Sequence, residues 1–260
     1  MKTLLILVRS ILFNLAFYIN TIIFVILLSP LLFTPRRWAM AALRWHARAS
    51  VFLQKLIVGN TLEIRGLEKL PPGAVLVAAK HQSAWDTFAL VTLFDDPAMI
   101  MKAELKLIPL YGWFAAKFEM IFVERSKGPS ALRKMIKDAK DRARQGRQIF
   151  IFPEGTRRAP GAEPDYKSGI LLLYDGLDIP CVPVALNSGL FWPRRLFMRY
   201  PGKIIVEILD PIEPGLPRAE FKARLISSIE DATAALIAES GELGDVADVF
   251  LDADTGAGGK

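Results

Sequence analysis

The chain has 260 residues, enough for one well-filled core with a small appendage. Apolar residues make up 52%, high for a freely soluble domain, and much of the excess lies near the N-terminus. The formal net charge is +6, and the single cysteine, Cys181, excludes an internal disulfide and a cysteine-built metal site.

Residues 11–33, "ILFNLAFYINTIIFVILLSPLLF", contain no charge. A helix of that length can cross a hydrocarbon core of ~30 Å. It is too long for a signal-peptide core and lacks a small-x-small cleavage site. Asn14, Asn20 and Pro30 interrupt it. The next segment, "RRWAMAALRWHARASVFLQKLIVG", mixes Arg36, Arg37, Arg44 and Arg48 with Trp38, Trp45, Phe52 and Leu53. That mixture suits a helix in the lipid headgroup region, with His46 interfacial, and an ordinary core-packing helix is the competing reading. Residues 1–58 are therefore read as a membrane-anchoring helical hairpin. If residues 11–33 span, the arginines after them outnumber Lys2 and Arg9 before them, which puts the remainder in the cytoplasm.

From residue 59 onward strands alternate with helices. "NTLEIRGLEKLPPG" reads as a short strand and turn, and "AVLVAA" as a buried strand. "SAWDTFALVTLF" has helical spacing, "DDPAMIMKAEL" gives a turn, a short strand and a basic segment, "EMIFVERS" is a strand, and "GPSALRKMIKDAKDRARQG" is an amphipathic helix started by Pro129 and Ser130 and stopped by Gly146. "QIFIF" is a strand, "GILLLYDGLDIP" a helix, "CVPVALN" a strand, and "KIIVEILDPIEPG" a strand leaving the core. "RAEFKARLISSIEDATAALIAES" is a long helix. The expected fold is α/β, a mixed and largely parallel sheet flanked by helices over residues 59–238. Residues 239–260 carry six acids against one lysine and read as a disordered tail, which makes the rest of the chain more basic than the total suggests. A basic body behind an apolar N-terminus favours anionic headgroups or phosphorylated substrates. No helix-turn-helix, RNA-recognition or zinc-finger pattern supports nucleic acid as a partner.

Ligands of such sheets bind beyond the carboxyl ends of the strands. "KHQSAWD" lies there, just past "AVLVAA", with His81 and Asp86 five residues apart. On one continuous helix those side chains would diverge by ~140°. With His81 in the turn and Asp86 in the first helical turn they can meet, and the carboxylate would then fix the imidazole tautomer. The other nitrogen could take a proton from a substrate hydroxyl, so no serine nucleophile is needed. A capping Asp beside a surface His is the competing reading. "FPEGTR" follows "QIFIF" in the same way: Gly155 permits a tight turn, and Thr156 and Arg157 suit a phosphate oxyanion. Glu154 either bonds a substrate hydroxyl or holds the loop. Lys102 and Lys106 fall in "MKAELKLIP", and Arg125 ends the strand "MIFVER", where a basic residue would point to the same rim; a solvated charge is the competing reading for each.

The combination resembles the glycerolipid acyltransferase family, best known for the 1-acylglycerol-3-phosphate acyltransferases. Four blocks stand in the family's order: "HQSAWD", "KAELKLIPLYGWFAAKFEMIFVERS", "FPEGTR" and "VPVAL". The resemblance implies transfer of an acyl group from acyl-CoA or acyl carrier protein, the co-substrate, to the sn-2 hydroxyl of lysophosphatidic acid, with no cofactor or metal. It implies His81 as base, Asp86 as its orienter, and Lys102, Arg125, Glu154, Gly155, Thr156 and Arg157 around the substrate. It further implies membrane lipids as partners and an inner-membrane location with the catalytic domain facing the cytoplasm. Glu124, Arg158 and the arginines of "NSGLFWPRR" depart from the family pattern and leave the acceptor open. Another lyso-lipid, such as a lyso-ornithine lipid, is the alternative acceptor, and a non-catalytic lipid-binding module is the alternative class.

Overall fold

A computed structural model describes residues 2–241, apart from the side chain of Arg125. The tail expected over residues 239–260 falls almost wholly outside the described residues. Seven strands form one sheet: β1 (Asn60–Arg65), β2 (Leu76–Ala79), β3 (Ala98–Lys102), β4 (Ile121–Val123), β5 (Ile149–Ile151), β6 (Cys181–Leu186) and β7 (Gly202–Ile208). Their spatial order is β1-β7-β6-β2-β5-β3-β4. Among the described strands only the β6–β7 pairing is antiparallel. The mixed, largely parallel sheet is as expected. β7 does not leave the core: it lies between β1 and β6 and buries Ile204, Ile205, Val206 and Ile208.

The helices are α1 (Lys2–Ile22), α2 (Arg36–Ile57), α3 (Trp85–Ala89), α4 (Tyr111–Lys117), α5 (Pro129–Ala143), α6 (Gly169–Leu177) and α7 (Arg218–Glu239). Every residue of β2 is buried, because both faces of the sheet are covered. Val75, Val77 and Ala79 face a core shared with α1 to α4, while Leu76 and Ala78 face the core built by α5, α6 and α7. The period-two alternation of side chains thus divides one strand between two cores.

The N-terminal hairpin is therefore a layer of the fold and not a separate appendage. The α1 side chain Phe13 packs edge-on to Trp192 with ring centroids 5.3 Å apart. Phe17 packs on Phe88, and Phe24 stacks on Phe114 at 5.0 Å. The apolar run breaks after Ile22 into a wide turn over Ile23–Leu27 and a 3₁₀ turn over Ser29–Phe33 that holds Pro30. The asparagines that interrupt the run lie on its docked side. Asn14 donates to the Phe197 carbonyl at 3.2 Å, and Asn20 to the Ser50 hydroxyl at 2.9 Å. His46 is buried and not interfacial: its ring lies 4.9 Å from Phe24, with Nε2 3.2 Å from the Thr21 hydroxyl. Arg36 clamps α2 to the domain through two bonds to Asp96, one of 2.7 Å. At the other end of the chain α7 continues through Glu239, which pairs with Arg65 at 2.6 Å and so belongs to the domain.

Candidate active site

β2, β3, β4, β5 and β6 run parallel, so their carboxyl ends lie along one edge of the sheet. His81 follows β2, Phe152 follows β5, and Asn187 follows β6. The chain leaves β2 in a turn and enters α3 with Asp86 in its first helical turn. That placement brings the pair together: His81 Nδ1 lies 2.9 Å from Asp86 Oδ2. The same oxygen accepts the backbone N–H of Gln82 at 2.8 Å and of Ser83 at 2.9 Å. Asp86 is fully buried, and the His81 side chain keeps 12% exposure. Because the carboxylate accepts from Nδ1–H, Nε2 carries the imidazole lone pair. Phe152 supports the ring, stacked at 3.9 Å with 15° between planes.

Two contacts lock the neighbouring loops onto this pair. The Arg158 N–H donates to the His81 carbonyl at 2.8 Å. The Gly189 N–H donates to the Gln82 side-chain oxygen at 3.0 Å. Gly155 closes a turn by donating to the Phe152 carbonyl at 2.9 Å, at φ 68°, a left-handed conformation that glycine adopts without a Cβ penalty. Thr156 is exposed and Arg157 half-buried beyond that turn, and the Arg157 carbonyl accepts from Arg194 at 2.6 Å. Lys102 is exposed at the end of β3. The structure thus gathers His81, Asp86, Gly155, Thr156, Arg157 and Lys102 along one edge. The Arg125 side chain lies outside the described part, and its backbone begins a 3₁₀ turn just after β4.

Glu154 does not line the substrate face. Its side chain is fully buried and pairs with Lys80, itself 3% exposed, at 3.1 Å. Lys80 also binds Glu230 of α7 at 2.8 Å, and Tyr166 donates to the same Glu230 oxygen at 2.8 Å. Burial pushes the Glu154 carboxyl above the ordinary range, against the pull of Lys80. Burial together with the Glu230 charge pushes the Tyr166 hydroxyl up as well. Of the two roles open to Glu154 in the sequence, holding the loop is the one the geometry supports.

Ser188 escaped the sequence reading. It is fully buried and donates to Asp86 Oδ1 at 2.5 Å, across 102 residues of chain. Its only signal was its place two residues after the end of β6. The stacking of Phe152 and the role of Lys80, next to the histidine, were missed in the same way.

A family profile described as Acyltransferase matches residues 61–187. The chain is 33% identical over 206 residues to a 1-acyl-sn-glycerol-3-phosphate acyltransferase of Pseudomonas aeruginosa, covering 77% of this chain and 79% of that one. The chain belongs to the acyltransferase family. This acyltransferase is also 33% identical over 172 residues to the 1-acyl-sn-glycerol-3-phosphate acyltransferase of Saccharomyces cerevisiae, covering 64% of this chain and 56% of that one. The crystal structure of the 1-acyl-sn-glycerophosphate (LPA) acyltransferase PlsC from Thermotoga maritima shares the fold, with a TM-score of 0.75 at 21% identity over 90% of this chain and 98% of that one. The matched residues run from β1 to the end of β6, so they enclose every strand end that carries a site residue.

Proposed function

We propose that this acyltransferase moves a fatty acyl group from the thioester of coenzyme A or acyl carrier protein to the sn-2 hydroxyl of 1-acyl-sn-glycerol 3-phosphate, forming phosphatidic acid. The observation that carries the reading is the 2.9 Å contact between His81 Nδ1 and Asp86, on the strand edge that also bears Arg157. His81 Nε2 takes the proton of the sn-2 hydroxyl as its oxygen attacks the thioester carbonyl. Asp86 stabilises the imidazolium that forms. Collapse of the tetrahedral adduct breaks the carbon–sulfur bond, and the imidazolium returns its proton to the departing sulfur. Arg157, Thr156 and Lys102 hold the phosphate, with Arg125 as a further cation and Gly155 shaping the loop.

The same reading places the protein on the cytoplasmic leaflet of the inner membrane, with α1 lying in the plane of the lipid. Among the described residues one helix, Lys2–Leu27, is long and apolar enough to cross a membrane. It is docked on the rest of the fold from Ser10, which accepts the Arg199 N–H at 2.8 Å, to Phe24 on Phe114. The 15 residues from Ser10 to Phe24 extend over ~21 Å of helix. Spanning would draw the sheet and its polar edge into the hydrocarbon, where unpaired polar groups are costly. The other side of α1 offers Leu4, Val8, Ile11, Leu15, Ile19 and Ile22 at helical spacing, all exposed.

The test is acyl transfer from long-chain acyl-CoA and from acyl carrier protein, with lysophosphatidic acid set against a phosphate-free lyso-lipid. Preference for lysophosphatidic acid, abolished in His81→Ala, is expected. Transfer to the phosphate-free acceptor alone would move the substrate, and no transfer to either would sink the catalytic reading.

A further inference from the structure

The exposed apolar surface does not stop at the helical hairpin. Two segments of the catalytic domain adjoin α1, one near each end of its docked stretch. The first is residues 105–113. It forms one wall of an open apolar cleft of about 400 Å³, whose other wall is Ile22, Val25 and Ile26. It presents Leu107 at 81% exposure and Trp113 at 57%. It is also held rigidly. The Tyr111 N–H bonds the Pro109 carbonyl at 2.7 Å, forcing Leu110 to φ 62° and ψ −53°, a strained γ-turn for a branched side chain. A Cβ at Gly112 would lie 2.1 Å from the Lys106 carbonyl, so only glycine lets the following helix close on this turn. The second segment is residues 194–199. Its Phe197 carbonyl accepts from Asn14 of α1, while the Phe197 ring is 52% exposed.

Both segments are basic. Lys106 lies in the first and Lys117 just beyond it, against one acid, Glu104; Arg194 and Arg195 occupy the second, which has no acid, while its third arginine, Arg199, is buried against Trp192. Apolar side chains offered on a rigid turn with cations beside them match one kind of partner, an anionic lipid surface, where rings and aliphatic groups enter the acyl boundary and the cations stay with the headgroups.

We infer that the catalytic domain itself inserts into the bilayer, through Leu107 and Trp113 on one side of the site and Phe197 on the other, as a continuation of the α1 surface. The inference rests on the membrane reading of α1 above. It adds that the domain is held at two further points, so that the strand edge bearing His81 is fixed in tilt over the lipid and cannot swing on the hairpin.

The test uses the full chain on vesicles of phosphatidylcholine and phosphatidylglycerol, with and without bromine on the acyl chains. Thiol-linked fluorophores are attached singly through L107C, F197C, L12C and K134C; Cys181 is fully buried and does not compete for label. Brominated chains should quench the probes at 12, 107 and 197 and spare the one at 134, on exposed Lys134 of α5. The double variant Leu107→Ser with Trp113→Ser should lower vesicle partitioning about tenfold and leave turnover on micellar substrate unchanged. Quenching at 12 but not at 107 or 197 would overturn the inference and leave the membrane reading of α1 standing. Quenching at none of the positions would overturn that reading too. Concentration-dependent protection of the probe at 107 without lipid, and no quenching with it, would assign this face to a second copy of the chain and overturn the inference.

Discussion

Replacing Ser188 by alanine removes one O–H donor from a fully buried carboxylate. Asp86 Oδ1 loses its 2.5 Å bond, while Oδ2 keeps three donors: His81 Nδ1 and the N–H groups of Gln82 and Ser83. A hydrogen bond to a charged group contributes about 1.5–3 kcal/mol, and neither partner can turn to water, since both are fully buried. We predict a stability loss of ~2 kcal/mol, seen as a fall in melting temperature of roughly 4–8 °C. The kinetic consequence is more diagnostic. A carboxylate with one donor fewer is a stronger base, attracts the imidazolium more, and is freer to rotate about its Cβ–Cγ bond. The acid limb of kcat against pH should therefore move to higher pH, and kcat should fall about tenfold with KM for the acceptor unchanged, because Ser188 is a positioning residue with no place on the substrate face. Ser188→Cys keeps a weak donor and should fall between the two. A destabilised Ser188→Ala enzyme with wild-type kcat and an unmoved acid limb would refute the reasoning and leave Ser188 a packing residue only.

Lys80→Met should cost more than Glu154→Gln, by roughly 3–5 kcal/mol against about 1, because the first leaves Glu154 buried without its cation whereas the second keeps a hydrogen-bonding side chain of the same size; thermal melts of the two variants check the order. Arg157→Ala should raise KM for lysophosphatidic acid at least tenfold while hardly changing KM for a phosphate-free lyso-lipid, and equal effects on both acceptors would remove the arginine from the phosphate. Asp96 predicts an acid-labile joint between α2 and the domain. Burial alone would raise its carboxyl, but the bonds from Arg36 and the nearby charge of Arg147 outweigh it and leave the carboxyl below its ordinary value. A depressed folded-state value means the stabilisation is present above the unfolded aspartate value of ~3.9 and lost as pH falls through the folded one. The pair is about 30% exposed on each side, so the contribution is ~1 kcal/mol or less. The stability gap between wild type and Asp96→Asn in urea should accordingly close below about pH 4, and a gap constant down to pH 2 would count against the pair.

Local pattern carried much of this protein. Strand and helix periods are properties of neighbouring residues, so all seven strands and the two long C-terminal-half helices could be read from stretches such as "AVLVAA" and "GPSALRKMIKDAKDRARQG". The His81–Asp86 pair was legible too, because five residues across a strand-to-helix turn allow only a few geometries, and a carboxylate in reach of an imidazole is the useful one. Composition alone also announced the apolar N-terminus.

What tertiary structure decided involves residues far apart in sequence. No local rule inserts β7 between β1 and β6, or makes the hairpin one layer of a three-layer fold; that depends on which apolar faces are left to cover each other once the sheet has formed. The side on which Asn14 and Asn20 lie in α1 turned apparent breaks in a membrane helix into its docking contacts. Glu154 could face substrate or core from sequence alone; the buried Lys80, 74 residues away, drew it inward, since a charge can be held in the interior only beside a partner. Ser188 reaches Asp86 because β2 and β6 are neighbours in parallel register, which sets the residues after both strands side by side. Sequence determined which groups could do the chemistry. The sheet order determined which of them meet, because contact across a hundred residues is fixed by strand neighbours and not by spacing along the chain.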